Sequence, residues 1–152
     1  SPAVAAQIKH PSDIARFPLL HDDSSLDDPS CPDWSMWLKA ANVGDVEPNR
    51  GPRFNQSSLV LEAAASGRGI ALAKRALAQS DLESGRLVAP FESSTPIEFA
   101  YWIAHPPGRG RTRAARAFIQ WALSEAQSYE QSTPSAVIAA HALNKDAEIL
   151  RI

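Results

Sequence analysis

Between residues 51 and 91 the spacing of apolar and polar positions changes period several times. A short extended run ends at Phe54, and the polar Gln56, Ser57 and Ser58 precede residues 59–65, most of them strong helix formers. Gly67 and Gly69 stop that helix. The uninterrupted apolar run Ile70, Ala71, Leu72 and Ala73 then suits a strand buried on both faces. Residues 74–82 read as a second helix with Gly85 as its stop, and residues 87–91 as a strand that Pro90 ends. This stretch therefore predicts strand, helix, strand, helix, strand, the alternation of an α/β fold.

The flanks extend the pattern. Residues 2–9 predict a short helix, Pro11, Ser12 and Asp13 a turn, and residues 17–21 a brief strand. Residues 22–32, rich in Asp, Ser and Pro, predict an exposed loop. Asp33 is placed to cap a helix in which Trp34, Trp37, Leu38 and Ala41 share one face, ended by Asn42 and Gly44. Residues 98–104 are the most strand-like run in the chain. Thr112 is placed to cap a last amphipathic helix with an apolar stripe of Ala115, Phe118, Ile119 and Ala122, with Trp121 at its edge. From Tyr129 onward Gln, Ser, Thr and Pro dominate, and only a weakly helical run at 136–143 follows, so 128–152 is read as a tail that docks or crosses to another chain.

Composition narrows the function classes. The chain has 152 residues, long enough for one core or a core with an appendage. Its 44% hydrophobic and 21% charged residues are those of a folded globular protein rather than a disordered or fibrous one. A net charge of −2 without a basic stripe argues against this segment gripping a nucleic-acid backbone. Cys31 is the single cysteine, which excludes an internal disulfide and fits a reducing compartment. No apolar run approaches the roughly 18 residues that a membrane helix needs, and the opening residues lack the layout of a secretory signal.

The serine pair is the main chemical candidate. The first turn of a helix carries backbone N–H groups without intrahelical partners and a partial positive charge, so an anion can be held there, with Ser57 and Ser58 adding hydroxyl donors. The simpler alternative is that one of these serines only caps its own helix. Catalytic patterns are absent: there is no Gly-x-Ser-x-Gly elbow, no Walker-type phosphate loop and no zinc spacing. His10, His21, His105 and His141 are scattered, and no metal or cofactor is expected. Trp34 and Trp37 lie on an apolar helical face and read as core rather than as a base-stacking platform.

The segments LLH at 19–21, DWSMWLKAANV, RGPRFNQSSLVLEAAASGRGIALAKRALA, DLESGRLVAPF, YWIAHP and AFIQWALSEA together resemble the effector-binding domain of LysR-type transcriptional regulators, especially the glycine-cleavage and β-lactamase activator branch, over residues 1–127. The resemblance implies an α/β fold of the type 2 periplasmic-binding-protein kind, mainly its second subdomain, with a mixed sheet flanked by helices. Residues 1–105 would form that second subdomain with its crossing strand, 106–127 the last helix of the first subdomain, and 128–152 the tail. A small, anionic effector would bind between subdomains in a cytoplasmic homo-oligomer, dimer or tetramer. DNA would be contacted only through an N-terminal winged helix-turn-helix that this chain lacks.

The same resemblance places effector contacts at Ser57 and at Tyr101 on the crossing strand, with Gln56, Ser58 and Ile70 as neighbours. For Tyr101 the plain alternative is a strand aromatic that packs its ring. Two other function classes stay open: a secreted solute-binding protein sharing the fold, and an oligomerisation module without a ligand. The loss of a sheet under Phe118 and Ile119 further implies a fragment of a longer polypeptide, or pairing with another copy.

Overall fold

The structure, a computed structural model, describes residues 1–27, 31–91, 102–106, 112–132 and 148–151. The chain divides into two compact units, Ser1–Ser93 and Ser94–Ile152. The expected 1–105 segment thus spans the first unit and the opening of the second.

The first unit is built on a three-stranded parallel sheet. Strand β1 (Leu19–Asp22) lies in the middle, with β2 (Arg53–Phe54) on one side and β3 (Ile70–Ala71) on the other. Leu19 and Leu20 pair with Ile70 and Ala71, whereas His21 and Asp22 pair with Arg53 and Phe54, so each neighbour takes a different half of β1. Parallel strands need crossovers, and these are helices here: α2 (Trp34–Ala40) between β1 and β2, and α3 (Ser57–Ala65) between β2 and β3. A helix α1 (Pro2–Ala5) and a 3₁₀ turn at Pro11–Arg16 precede the sheet, and α4 (Arg75–Glu83) follows it.

Strand alternation sorts the core into two layers. Leu19 packs with Val4, Ile8, Ile14, Trp34, Leu38 and Val46, while its neighbour Leu20 packs with Val60, Leu61, Ala64, Ala78 and Leu87. Leu19 and Leu20 are essentially sealed from solvent, and burial of each stabilises the fold by about 1.5–3 kcal/mol. Ile70 and Ala71 repeat the alternation on β3, packing against the first and second layers respectively. The indole N–H of buried Trp34 donates to the Leu20 carbonyl at 3.0 Å, which fixes α2 to the sheet. Trp37 meets Trp34 edge-on and Phe91 at a tilt, with ring centroids 5.7 Å apart in both pairs.

Local chemistry sets the helix limits. Asp33 caps α2 by accepting from the Met36 N–H at 2.8 Å, and Asn42 ends it with φ of 55°. Helix α3 closes with a left-handed Gly67, φ 72°, whose N–H donates to Ala64 while Arg68 N–H reaches back to Ala63. Residues 87–91 do not form the expected strand. The Leu87 N–H is taken by the Asp81 carbonyl at the end of α4, so the backbone serves the helix terminus while the Leu87 side chain fills the core. Ile70 and Ala71 are half-buried rather than fully buried on both faces.

In the second unit, β4 (Trp102–His105) pairs antiparallel with β5 (Glu148–Arg151), and α5 runs over Arg113–Ser132. Thr112 starts α5 as expected, its hydroxyl oxygen accepting from Ala115 N–H at 3.2 Å. Phe118 and Trp121 on α5 remain 57% and 56% exposed, and their rings pack on each other. The expected run at 136–143 and the first part of the expected strand at 98–101 lie outside the described residues. The strand β5 was not anticipated.

Candidate functional site

Because β1, β2 and β3 run parallel, their carboxyl ends reach the same edge, and the loops that follow converge there. The chain goes from β1 to one side and then crosses to the other, so the order reverses beside β1, the place where α/β sheets hold ligands. Asp22 is the last residue of β1, Ser57 the first of α3 after β2, and Lys74 the N-cap of α4 after β3. These three, with Val60, Leu61 and Leu72 beneath them, line a small recess.

Hydrogen bonds link the loops. The Ser57 hydroxyl donates to Asp22 Oδ2 at 2.5 Å, and the Ser24 hydroxyl donates to Asp22 Oδ1 at the same distance. Ser24 N–H adds a third bond to Oδ1 at 3.0 Å, and the Ser24 and Ser57 oxygens lie 3.1 Å apart. Partial burial pushes the Asp22 carboxyl up, but the hydrogen bonds from Ser24 and Ser57 and the charge of Lys74 outweigh it and hold the group below the usual carboxylate range. Asp22 is therefore ionised at neutral pH. Beside it, Arg53 holds Asp23 through two bonds, Nε to Oδ2 at 3.0 Å and Nη2 to Oδ1 at 2.7 Å.

Of the residues singled out in the sequence, Ser57 stands at this edge. It does not cap α3: the N-cap position belongs to Gln56, which makes no side-chain cap, and the Ser57 hydroxyl is committed to Asp22. Gln56 and Ser58 are exposed beside it. Ile70 pairs with Leu19 and packs against the first core layer, outside the lining of the recess. Tyr101 lies outside the described residues. Sequence reasoning missed Asp22, Ser24 and Lys74 as site residues. The signal available was positional, since Asp22 and Lys74 directly follow or closely follow predicted strands, where a parallel sheet delivers its ligand-facing loops. Among the described residues no group of three or more His, Cys, Asp or Glu side chains is placed to hold a metal ion.

A parallel sheet with a small, mostly apolar recess at its carboxyl edge, rimmed by Asp22, Ser57 and Lys74, is the kind of place where α/β folds hold ligands. The family model of the LysR substrate binding domain matches residues 2–127, and the chain belongs to that family. The glycine cleavage system transcriptional activator of Escherichia coli K12 is 33% identical over 124 residues, 82% of this chain and 39% of that protein. The HTH-type transcriptional activator AmpR of Citrobacter freundii is 34% identical over 122 residues, 80% of this chain and 40% of its own length. The chain thus spans well under half of these relatives. Among solved structures, the AmpR effector binding domain from Citrobacter freundii superposes with a TM-score of 0.65 at 31% identity, covering 84% of this chain and 61% of that one. The AmpR effector domain of Pseudomonas aeruginosa gives a TM-score of 0.65 at 32% identity, covering 86% and 61%. The expected type 2 periplasmic-binding-protein-like α/β fold and LysR membership therefore hold, and the described strands form a parallel sheet and a separate antiparallel pair.

Proposed function

We propose that this chain is the effector-sensing region of a cytoplasmic LysR-type transcriptional regulator and carries out no covalent chemistry. The observation that carries the reading is the convergence of the three post-strand loops on one recess, in a chain similar to the AmpR effector binding domain from Citrobacter freundii. A small molecule held there biases the conformation of the regulator, and a DNA-binding domain elsewhere in the full-length protein reports it. Such a division of labour suits the net charge of −2, which gives this chain no electrostatic grip on DNA. No described helix is long and apolar enough to cross a membrane, which is compatible with the cytoplasmic reading.

Ser57 is proposed as an effector contact, with Gln56 and Ser58 flanking it. Tyr101 remains a proposed contact on the strength of the family resemblance, as does assembly into a homo-oligomer. The test is a thermal-shift screen of the full chain against small carboxylates, amino acids and cell-wall fragments, with Ser57→Ala alongside. A saturable rise in melting temperature that the variant loses is the expected result. A ligand that stabilises wild type and Ser57→Ala equally would overturn the assignment of the site.

A further inference from the structure

Helix α5 carries two apolar patches, and only one of them is partly covered. Ala115, Ile119, Ala122 and Ala126 recur at helical spacing and are half-buried. At about 100° per residue, Phe118 stands about 60° and Trp121 about 120° to one side of that stripe. Both rings are mostly exposed and pack on each other, with Ala114 and Ala117 exposed beside them. Single exposed apolar side chains are ordinary on a protein surface, whereas these four residues form a continuous patch. The charges of α5 also run against its own dipole. Arg113 opens the helix, Glu125 lies in its second half, and there is no acidic residue in the first turn and no basic one in the last. That order is unfavourable in a helix standing alone. Arg113 and Glu125 are exposed, and neither has an ion-pair partner among the described residues.

We propose that this aromatic face of α5 binds the same face of a second copy of the chain, with the two helices antiparallel and centred between Phe118 and Trp121. In that register Phe118 meets the partner's Trp121, and Trp121 meets the partner's Phe118, so a two-fold axis makes the patch complementary to itself. Aromatic pairs of this kind are frequent anchors of interfaces. Arg113 comes alongside the partner's Glu125, and Glu125 alongside the partner's Arg113. The basic first turn of each helix thus lies against the acidic half of the other, and the charge order that is unfavourable in one helix becomes favourable across the pair. A parallel pairing would set Arg113 against the partner's Arg113 and Glu125 against the partner's Glu125, and like charges exclude it.

The inference rests on the homo-oligomer reading given above, and the experiment separates the two claims. The full chain is examined by sedimentation equilibrium over a wide range of concentration, beside Phe118→Ala, Trp121→Ala, Arg113→Glu, Glu125→Arg and the double variant carrying both charge changes. The wild-type chain is expected to dimerise. Each aromatic change should weaken the dimer about tenfold or more, and each single charge change several-fold. The double charge swap should restore it, because opposite charges again meet across the pair. Arg113→Glu places an acid in the first turn and Glu125→Arg a base in the second half, so both changes suit the dipole of α5, and a weakened dimer cannot be put down to a melted helix. A dimer indifferent to both aromatic changes would overturn the α5 interface and leave the homo-oligomer standing. Loss in the single charge variants without recovery in the double one would overturn the antiparallel register. A chain that stays monomeric throughout would overturn both claims and leave this face to the part of a longer protein that the chain does not span.

Discussion

At the residue scale, the positions least open to change are two glycines packed against the start of β1. A Cβ at Gly51 would stand 2.1 Å from the Leu19 carbonyl oxygen, and φ there is 112°. A Cβ at Gly69 would come within 2.4 Å of the Pro18 carbonyl oxygen. These glycines let β2 and β3 reach the middle strand. Gly85 has φ of 71° with open space around it, and Gly44 has neither strain nor neighbour. Alanine substitutions should therefore grade. Gly51→Ala, combining overlap with a positive φ, is expected to cost roughly 3 kcal/mol or more, Gly85→Ala about 1, and Gly44→Ala close to nothing. Denaturant unfolding of the three variants checks the order, and equal losses at Gly51 and Gly44 would contradict the packing. The sequence marks Gly44, Gly69 and Gly85 as stops and Gly51 as the start of an extended segment. It did not show which of them touches backbone, because that contact joins residues 32 apart in the chain for Gly51 and Leu19. Ser57 was legible for the same reason that Asp22 was not: a helix start is a local pattern, whereas the Ser57 to Asp22 bond spans 35 positions.

At the scale of elements, local pattern and structure agree wherever a cap or a stop is written in neighbouring residues. Asp33, Asn42, Gly67, Gly85 and Thr112 each act where the sequence predicted a limit. The failure at residues 87–91 has the opposite origin. A continuous apolar run was present, but a strand needs a ladder partner, and the Leu87 N–H is taken by the Asp81 carbonyl. The caps differ in how they are built: Asp33 bonds the Met36 N–H, while Gln56 leaves α3 without a side-chain cap. Asp33→Ala is therefore expected to lower stability by about 1 kcal/mol, measured by denaturant unfolding, whereas Gln56→Ala should change it by a few tenths at most. Comparable losses in the two variants would mean that Asp33 contributes through something other than the cap.

At the scale of the whole molecule, the family match ends at residue 127, yet β5 at Glu148–Arg151 pairs with β4, so the segment beyond the match takes part in the fold. Composition marked 128–152 as a tail because four residues carry too little pattern to announce a strand. Only the partner strand defines them. The register runs from Trp102 opposite Arg151 to His105 opposite Glu148. A two-stranded ribbon is marginal in water, so each strand depends on the other for its protection. Removal of residues 148–152 is thus expected to speed amide exchange across 102–105 by about tenfold or more and to leave the amides of β1 unchanged, since that strand lies in the other compact unit. The bare β4 edge would also become a template for pairing with a second chain, so the truncated protein should show more concentration-dependent association than the full chain in sedimentation velocity. Unchanged exchange at 102–105 would mean that β5 contributes nothing to holding β4. A slowed exchange there at high protein concentration alone would show that a second copy has taken the place of β5.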